Sequence, residues 1–312
     1  MSPYLPWIVL LVHVLVLLGL DFFVFHRRDE VPRTRRAVAE TIFFVINALA
    51  FAGFIYWYYL SDPAVNINEL APRRAVINYL TGYAVELSLS VDNLFVIAAI
   101  FTAYHIPPKY QHRVLFLGIL GAIVFRALLI GIGLALVHQI EQITIFFGLF
   151  LLYSAIKMLT KKESQEGVRE SGRISRLFNI SPVIDGHNLR TTIDGKRVFT
   201  ALFGALITIE FTDLLFALDS VPAIFAVTTD PYIVFSSNIF AILGLRSLYF
   251  FLAGMLSRFA YLQYSVFAIL IFVSVKLITA SFFDIPEWFS LLFIFISLGI
   301  GIIVSLSRKP VT

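Results

Sequence analysis

Apolar segments of about twenty residues recur from end to end of this 312-residue chain. A helix of that length crosses the hydrocarbon core of a bilayer, so these segments constrain the fold more than any other feature. Charged residues make up 14% of the chain, whereas soluble proteins contain about 25%. The sequence therefore predicts an all-α, polytopic membrane protein with a single transmembrane domain over residues 1–312. About nine transmembrane helices are predicted, at residues 5–25, 41–60, 77–104, 114–137, 142–160, 199–227, 239–256, 265–283 and 288–306.

Basic residues predict the orientation of these spans. With the N-terminus outside and the C-terminus in the cytoplasm, 18 of the 24 Lys and Arg residues lie in inner segments. The outer loops then contain only Arg73 and Arg74, a bias that follows the positive-inside rule. The formal net charge of +4 therefore reflects membrane orientation and does not indicate nucleic-acid binding. The polar segment 161–198 becomes a cytoplasmic loop, either a solvated linker or a regulatory module.

Two apolar segments carry the same charged landmarks. The segment "ELSLSVDNLFVIAAIF" begins at Glu86 and "DLLFALDSVPAIFAV" begins at Asp213, and in each an Asp follows six residues later. An arginine and then a lysine follow both segments in the same order. The corresponding pairs are Glu86 with Asp213, Asp92 with Asp219, Arg126 with Arg246, and Lys157 with Lys276.

These correspondences predict two three-helix repeats, at about 77–160 and about 199–283. In the predicted orientation the span of Glu86 runs inward and the span of Asp213 runs outward, so the two repeats are inverted. Secondary transporters with inverted repeats form their substrate site near the bilayer midplane, at the interface between the repeats.

Acidic residues within the spans are energetically costly. A carboxylate at a helix centre costs about 2.5–3.5 kcal/mol on the insertion scale, so each must be paired, protonated, hydrated or metal-bound. One interpretation is mutual neutralisation by Arg126, Arg246, Lys157 and Lys276. The other is a cation site whose carboxylates are supported by ion pairs with Arg126, Arg246 and Lys276. The acidic residues concerned are Glu86, Asp92, Glu210, Asp213 and Asp219.

Helix geometry limits how many of these acids can share one site. Glu86 and Asp92, six residues apart, point about 120° apart around a straight helix. Glu210 and Asp213, three residues apart, share a face. All the acids line one cavity only if the helices bend, as Pro222 would allow in the second repeat. Otherwise the acids form two positions at different depths.

The available ligands indicate which ions such a site would bind. Carboxylates together with Asn93 are hard oxygen donors, which suit Mn²⁺, Mg²⁺ or Ca²⁺. Soft metal ions are disfavoured because the chain has no Cys and only three Met. No cofactor is predicted, and the metal ion would be cargo. The spans contain no Ser–His or H-E-x-x-H arrangement, which argues against an intramembrane enzyme.

The two acidic segments also resemble a known family. "TGYAVELSLSVDNLFVIAAIF" and "LITIEFTDLLFALDSVPAIFAVTTDPYIVFSSNIFAILGLRSLYFFLAG" are similar to the signature blocks of the TerC family, including its Alx branch, within a resemblance over about 41–305. The resemblance implies a bacterial inner-membrane exporter of Mn²⁺, with links to alkaline pH response and tellurium resistance. It also implies a set of ion ligands: Glu86, Asp92, Asn93, Glu210, Asp213 and Asp219.

Two functions remain open from the sequence. The first is a divalent-cation exporter that works by alternating access, with proton exchange at the carboxylates coupling the steps. The alternative is a membrane partner or stress-response protein without transport activity, acting through the 161–198 loop on a secretion-linked partner. Oligomeric state is open in both, including a homo-oligomer.

Overall fold

The fold is known from a computed structural model of the chain. Residues described by it are 4–25, 34–61, 70–140, 142–160, 163–178, 180–193, 195–253, 262–280, 282–283 and 285–307. Within these ranges the description excludes the side chains of residues 24–25, 34, 92, 158–160, 163–170, 253, 262 and 306.

Helices account for most of the described chain. In order they are α1 (Leu5–Leu20), α2 (Thr34–Ser61), α3 (Pro72–Ala103), α4 (Pro108–Gln139), α5 (Ile143–Thr160), α6 (Glu163–Phe178), α7 (Ala201–Phe225), α8 (Pro231–Leu243), α9 (Leu245–Ala253), α10 (Leu262–Thr279) and α11 (Glu287–Ser307). A π-helical turn, Asp21–Phe25, continues α1. Two short strands, β1 (Arg190–Ile193) and β2 (Lys196–Phe199), form an antiparallel hairpin before α7.

The prediction of a polytopic helical membrane protein is confirmed. Among the described residues, seven helical segments are long and apolar enough to cross a bilayer: Leu5–Phe23, Arg35–Ser61, Pro72–Ala103, Pro108–Gln139, Ala201–Phe225, Pro231–Leu252 and Glu287–Ser305. The remaining two predicted spans correspond to shorter apolar helices, Ile143–Lys157 and Gln263–Thr279. The seven long segments therefore support a multi-pass architecture, and the count of nine spans stays a prediction.

Several helices begin earlier than hydropathy predicts. The helices α3 and α4 start at Pro72 and Pro108, where proline occupies the first turn and needs no backbone hydrogen-bond partner. The helix α8 starts at Pro231, eight residues before the predicted span, because Asp230 caps it by accepting from the backbone N–H of Tyr232 and Ile233. Hydropathy tracks the membrane core, whereas the helices extend into the polar interface.

The helices α3 and α8 lie at the centre of the bundle, surrounded by the other helices. About three quarters of the apolar window is buried in the α3 segment (76%) and in the segment from Pro231 to Leu252 (78%), against 22–44% in the other five. The helix α3 packs against α2, α7, α8 and α11, while α4 packs against α7 and α5 against α10. Groups carried by α3 and α8 are therefore held away from lipid.

The 161–198 segment is folded. It contains α6, which packs against α3 and α7, and the β1–β2 hairpin. The hydroxyl of Tyr104, just after α3, donates to the carbonyl oxygen of Ser171 on α6 at 3.0 Å. Gly195 in the hairpin turn has a φ of 73°, which glycine adopts without strain, and its neighbour Asp194 lies outside the described residues. This segment is thus attached to the membrane helices near the α3–α4 connection.

Candidate functional site

Arg126, on α4, lies at the centre of a buried charge cluster. Its side chain is 3% exposed, and its guanidinium contacts carboxylates from two other helices. Nη1 donates to Glu86 on α3; Nη2 and Nε donate to Asp213 on α7, at 3.1 and 3.5 Å. The planar guanidinium presents its donors in a fixed fork, which suits it to hold two carboxylates at once. Corresponding acids of the two predicted repeats therefore meet on one arginine.

Neutral groups complete the cluster. Nη1 of Arg126 also lies 2.9 Å from Oδ1 of Asn238 on α8 and 3.3 Å from the Ser220 hydroxyl on α7. The Ser90 hydroxyl donates to Glu86 at 3.1 Å from the same helix, one turn later. Asn238 is fully buried and lies in the middle of α8. The cluster thus joins α3, α4, α7 and α8, and its formal charge is −1 when both carboxylates are ionised.

Glu210 lies beside this cluster, one turn before Asp213 on α7. Its carboxyl group packs directly against Gly121 of α4, where a β-carbon would overlap the carboxyl atoms. Oε2 of Glu210 is buried, and among the described residues no group donates a hydrogen bond to it. A buried polar atom without a partner is costly, so this carboxyl group is a candidate for a ligand or proton to occupy.

Asp219 faces a different neighbour. The Ser154 hydroxyl of α5 donates to Oδ1 of Asp219 at 2.8 Å, whereas Asp213 is held by Arg126 of α4. This matches the separation of about 120° expected for residues six apart on a helix. The backbone of Asp92 lies in α3, and its side chain is outside the described residues. Within the described side chains, no three His, Cys, Asp or Glu residues come together as a metal cluster.

A cavity opens next to Arg126 and Asp213. Its volume is about 30 Å³, enough for about two waters at 10–15 Å³ each. On α3 and α4 the cavity extends from the cluster toward the α3–α4 connection. Its polar lining consists of Ser90, Asn93, Arg126, Thr212, Asp213 and Arg246. Asn93 is therefore brought to the same space as Asp213.

Arg246 does not reproduce the contacts of Arg126, to which it corresponds in the predicted repeats. It is 1% exposed and forms its ion pair with Asp21, at the end of α1, and it also donates to the Asp21 backbone carbonyl at 3.1 Å. Among the described side chains, the acid that Arg246 meets is therefore Asp21, outside the repeats. That Arg246 also supports a repeat carboxylate stays a prediction, since the Asp92 side chain lies outside the described residues. The third predicted supporting residue, Lys276, donates to the Ser290 hydroxyl of α11 at 3.0 Å.

Three functional groups were missed by the sequence reasoning. The span predicted at 239–256 begins after Asn238, yet Asn238 lies inside α8 and accepts from Arg126. The Asp230-Pro231 pair could have predicted the earlier helix start and hence the buried position of Asn238. Asp21 lies inside the predicted span 5–25, where an acid carries the same cost as the repeat acids, so the sequence did offer a signal for it. Ser220 takes the position of Asn93 when Asp92 is aligned with Asp219, which is the signal that the sequence offers for it.

Comparisons with known proteins agree with the sequence motifs. Residues 71–312 match the family described as "Integral membrane protein TerC family". The chain is 40% identical to "Uncharacterized membrane protein STKORF319" of Myxococcus xanthus, over 99% of this chain and 93% of that protein. It is 38% identical to "Putative membrane-bound redox modulator Alx" of Escherichia coli (strain K12), over 93% of this chain and 89% of that protein. No solved structure matches the chain significantly.

Proposed function

This chain belongs to the TerC family of integral membrane proteins, and we propose that it exports a divalent metal cation, with Mn²⁺ as the favoured cargo. The observation that carries the proposal is the meeting of Glu86 and Asp213 at one buried position between helices. Charged groups in a membrane are expensive and typically mark ion or substrate pathways. A purely structural role would be served as well by apolar packing, which often equals a buried ion pair in stability.

Helix packing supports the inverted repeats that alternating access requires. In the proposed arrangement, α3, α4 and α5 correspond to α7, α8–α9 and α10. If each helix is replaced by its counterpart in the other repeat, the α3–α8 contact becomes the α7–α4 contact. The α5–α10 contact becomes itself. All three packings are present. A pseudo-two-fold arrangement of this kind is typical of transporters whose halves rock around a central site.

The cavity supports a pathway from the cytoplasm to the site. With the N-terminus outside, the α3–α4 connection is cytoplasmic, so the cation would pass Asn93 and reach Asp213 and Glu86. Rocking of one repeat against the other would then expose the ion to the outer side. Asp219 and Asp92 supply acidic positions at another depth, and proton exchange at closely placed carboxylates would couple the steps. The proposal places the protein in the bacterial inner membrane with its C-terminus in the cytoplasm, as the distribution of basic residues predicts.

The ligand chemistry supports a hard cation. Carboxylate and amide oxygens suit Mn²⁺, Mg²⁺ and Ca²⁺, and the resemblance of the acidic motifs to the TerC family favours Mn²⁺. The proposed ligands are Glu86, Asp92, Asn93, Glu210, Asp213 and Asp219. A separate cofactor is not part of the proposal.

A second candidate is a membrane partner or stress-response protein without transport activity. The observation that favours it is the folded 161–198 segment, whose α6 and hairpin stand beside the membrane helices. Because the chain has no Cys, a thiol-based redox role cannot reside in its own side chains. This candidate predicts that removing the hairpin matters more than neutralising the acids.

Transport by the purified protein tests the export proposal directly. In proteoliposomes with a pH gradient, the wild type is expected to move Mn²⁺, and the Asp92→Asn/Asp219→Asn double variant is expected to lose this flux. Empty liposomes give the background, and excess Mg²⁺ or Ca²⁺ as competitors gives the ion preference. Wild-type protein that folds but neither binds nor moves a divalent cation would favour the partner-protein candidate.

The contact between Gly121 and Glu210 gives a second prediction. Gly121→Ala is expected to displace the Glu210 carboxyl group, because the added β-carbon would overlap it, and to lower Mn²⁺ flux at least about tenfold. The matched control is Gly131→Ala on the same helix, where an added β-carbon meets no atom within 4 Å. Equal flux in the two variants would remove Glu210 from the proposed pathway.

A further inference from the structure

We propose that Arg126 is a tethered cation that occupies Glu86 and Asp213 in the absence of metal, and that the incoming divalent cation must displace it. The inference rests on the proposed function in one respect, since it takes a divalent cation as the cargo. It adds a specificity-determining residue that competes with the cargo for the same oxygen atoms.

The contacts of Arg126 are those that a metal ion would need. Its donors approach an oxygen of Glu86 and both oxygens of Asp213. A divalent cation binds carboxylate oxygens at about 2.0–2.6 Å, closer than a guanidinium nitrogen can approach them. Both cannot hold the same lone pairs, so metal binding requires the guanidinium to withdraw.

Charge balance explains why this competition would select divalent ions. Glu86, Asp213 and the adjacent Glu210 together carry −3 when ionised. Arg126 stays buried beside them after its displacement and brings the sum to −2. A divalent cation then brings the sum to 0, whereas a monovalent cation leaves −1. In a medium of low dielectric constant, residual charge is strongly penalised, so the exchange favours a divalent ion over a monovalent one.

The structure also offers the displaced guanidinium another position. Oδ1 of Asn238 and the hydroxyl of Ser220 already accept from Nη1, and both are neutral. The adjoining cavity of about 30 Å³ provides room for the side chain to shift. Neutral acceptors hold an arginine less strongly than carboxylates do, so part of the metal's binding energy is consumed in moving it. Such a site binds its cargo weakly enough to release it, as transport requires.

Mn²⁺ titration of purified protein tests the inference. Arg126→Gln is expected to tighten Mn²⁺ binding at least about tenfold, measured by calorimetry or by Mn²⁺ electron paramagnetic resonance, because the internal competitor is gone. Arg126→Lys, which keeps the charge but loses the fork, is expected to fall between. The control is Arg74→Gln, which removes an Arg–Glu pair with Glu287 in an exposed position and should leave the affinity unchanged.

Thermal unfolding covers the case in which Arg126→Gln folds poorly. Without the arginine, the carboxylates of Glu86 and Asp213 repel each other and destabilise the fold. Mn²⁺ is therefore expected to raise Tm more in Arg126→Gln than in the wild type. Affinity that is unchanged or weaker in folded Arg126→Gln, or a Tm that Mn²⁺ does not raise further, would overturn the inference. Tighter binding without any wild-type flux in liposomes would keep the inference and refute export. Mn²⁺ flux by the wild type without tighter binding by Arg126→Gln would support export and overturn the inference.

Discussion

Asp21→Leu is expected to destabilise the protein by about 3–5 kcal/mol, because it removes a carboxylate that forms a buried ion pair with the Arg246 guanidinium. Both side chains are almost completely buried, with 4% and 1% exposure, so water cannot replace the lost partner. The pair joins the end of α1 to α9, and its loss should also loosen α1 from the second predicted repeat. Unfolding of the detergent-solubilised protein, followed by circular dichroism, measures the change.

Two further variants identify the cause of that loss. Asp21→Leu/Arg246→Met removes both charges and is expected to recover most of the stability, since apolar side chains of similar size often replace a buried pair without cost. Glu287→Gln breaks the Arg74–Glu287 pair, in which Arg74 is 53% exposed, and should cost no more than about 1 kcal/mol. If Asp21→Leu alone proved as mild as Glu287→Gln, the buried pair would not hold α1 in place.

The helices were predictable from the sequence because they depend on local composition. Apolar length identified the helices of the core, and some of their starts were misjudged because polar residues continue a helix into the interface, as at the start of α3. The early start of α8 had a local signal in Asp230, which caps the helix. The interruption near Gly244, between α8 and α9, had no comparable signal, since glycine also occurs inside packed transmembrane helices.

The candidate site was predictable in its members and not in its contacts. The cost of buried charge marks Glu86, Asp213 and Arg126 from the sequence alone. Which acid meets which base depends on how each helix is rotated and on which helices are neighbours, and neither is encoded locally. Repeat symmetry suggested that Arg246 would behave like Arg126. Repeat symmetry does not predict the contact that the described residues show, with Asp21 from a helix that lies outside both repeats.

The described contacts of the two arginines suggest different roles for them. Arg246 pairs with Asp21 and so joins the end of α1 to α9, which suits a structural link. Arg126 faces two carboxylates with a deficit of positive charge, which suits a site that accepts another cation. The prediction with the largest functional effect therefore concerns an acid that Arg126 holds.

Glu86→Gln is expected to abolish Mn²⁺ flux. Loss of an outer-sphere partner of a metal ligand typically lowers affinity or activity about 10–100-fold, and loss of a ligand itself should lower flux further. The amide oxygen of glutamine can still accept from Arg126 and from Ser90, so the fold should be retained. Mn²⁺ uptake into proteoliposomes measures the loss, and size-exclusion chromatography verifies the fold.

Glu40→Gln is the matched control for this experiment. Glu40 is also a buried glutamate, 3% exposed, and it accepts from an arginine, Arg36, at 3.0 Å, but it lies on α2 outside both predicted repeats. Its neutralisation removes the same kind of charge from the membrane domain without touching the proposed pathway, so flux should persist. If the two glutamine variants lost flux equally, the effect would come from disturbing a buried ion pair. If only Glu86→Gln lost it, the carboxylate that meets Asp213 at Arg126 would be the one that the cation needs.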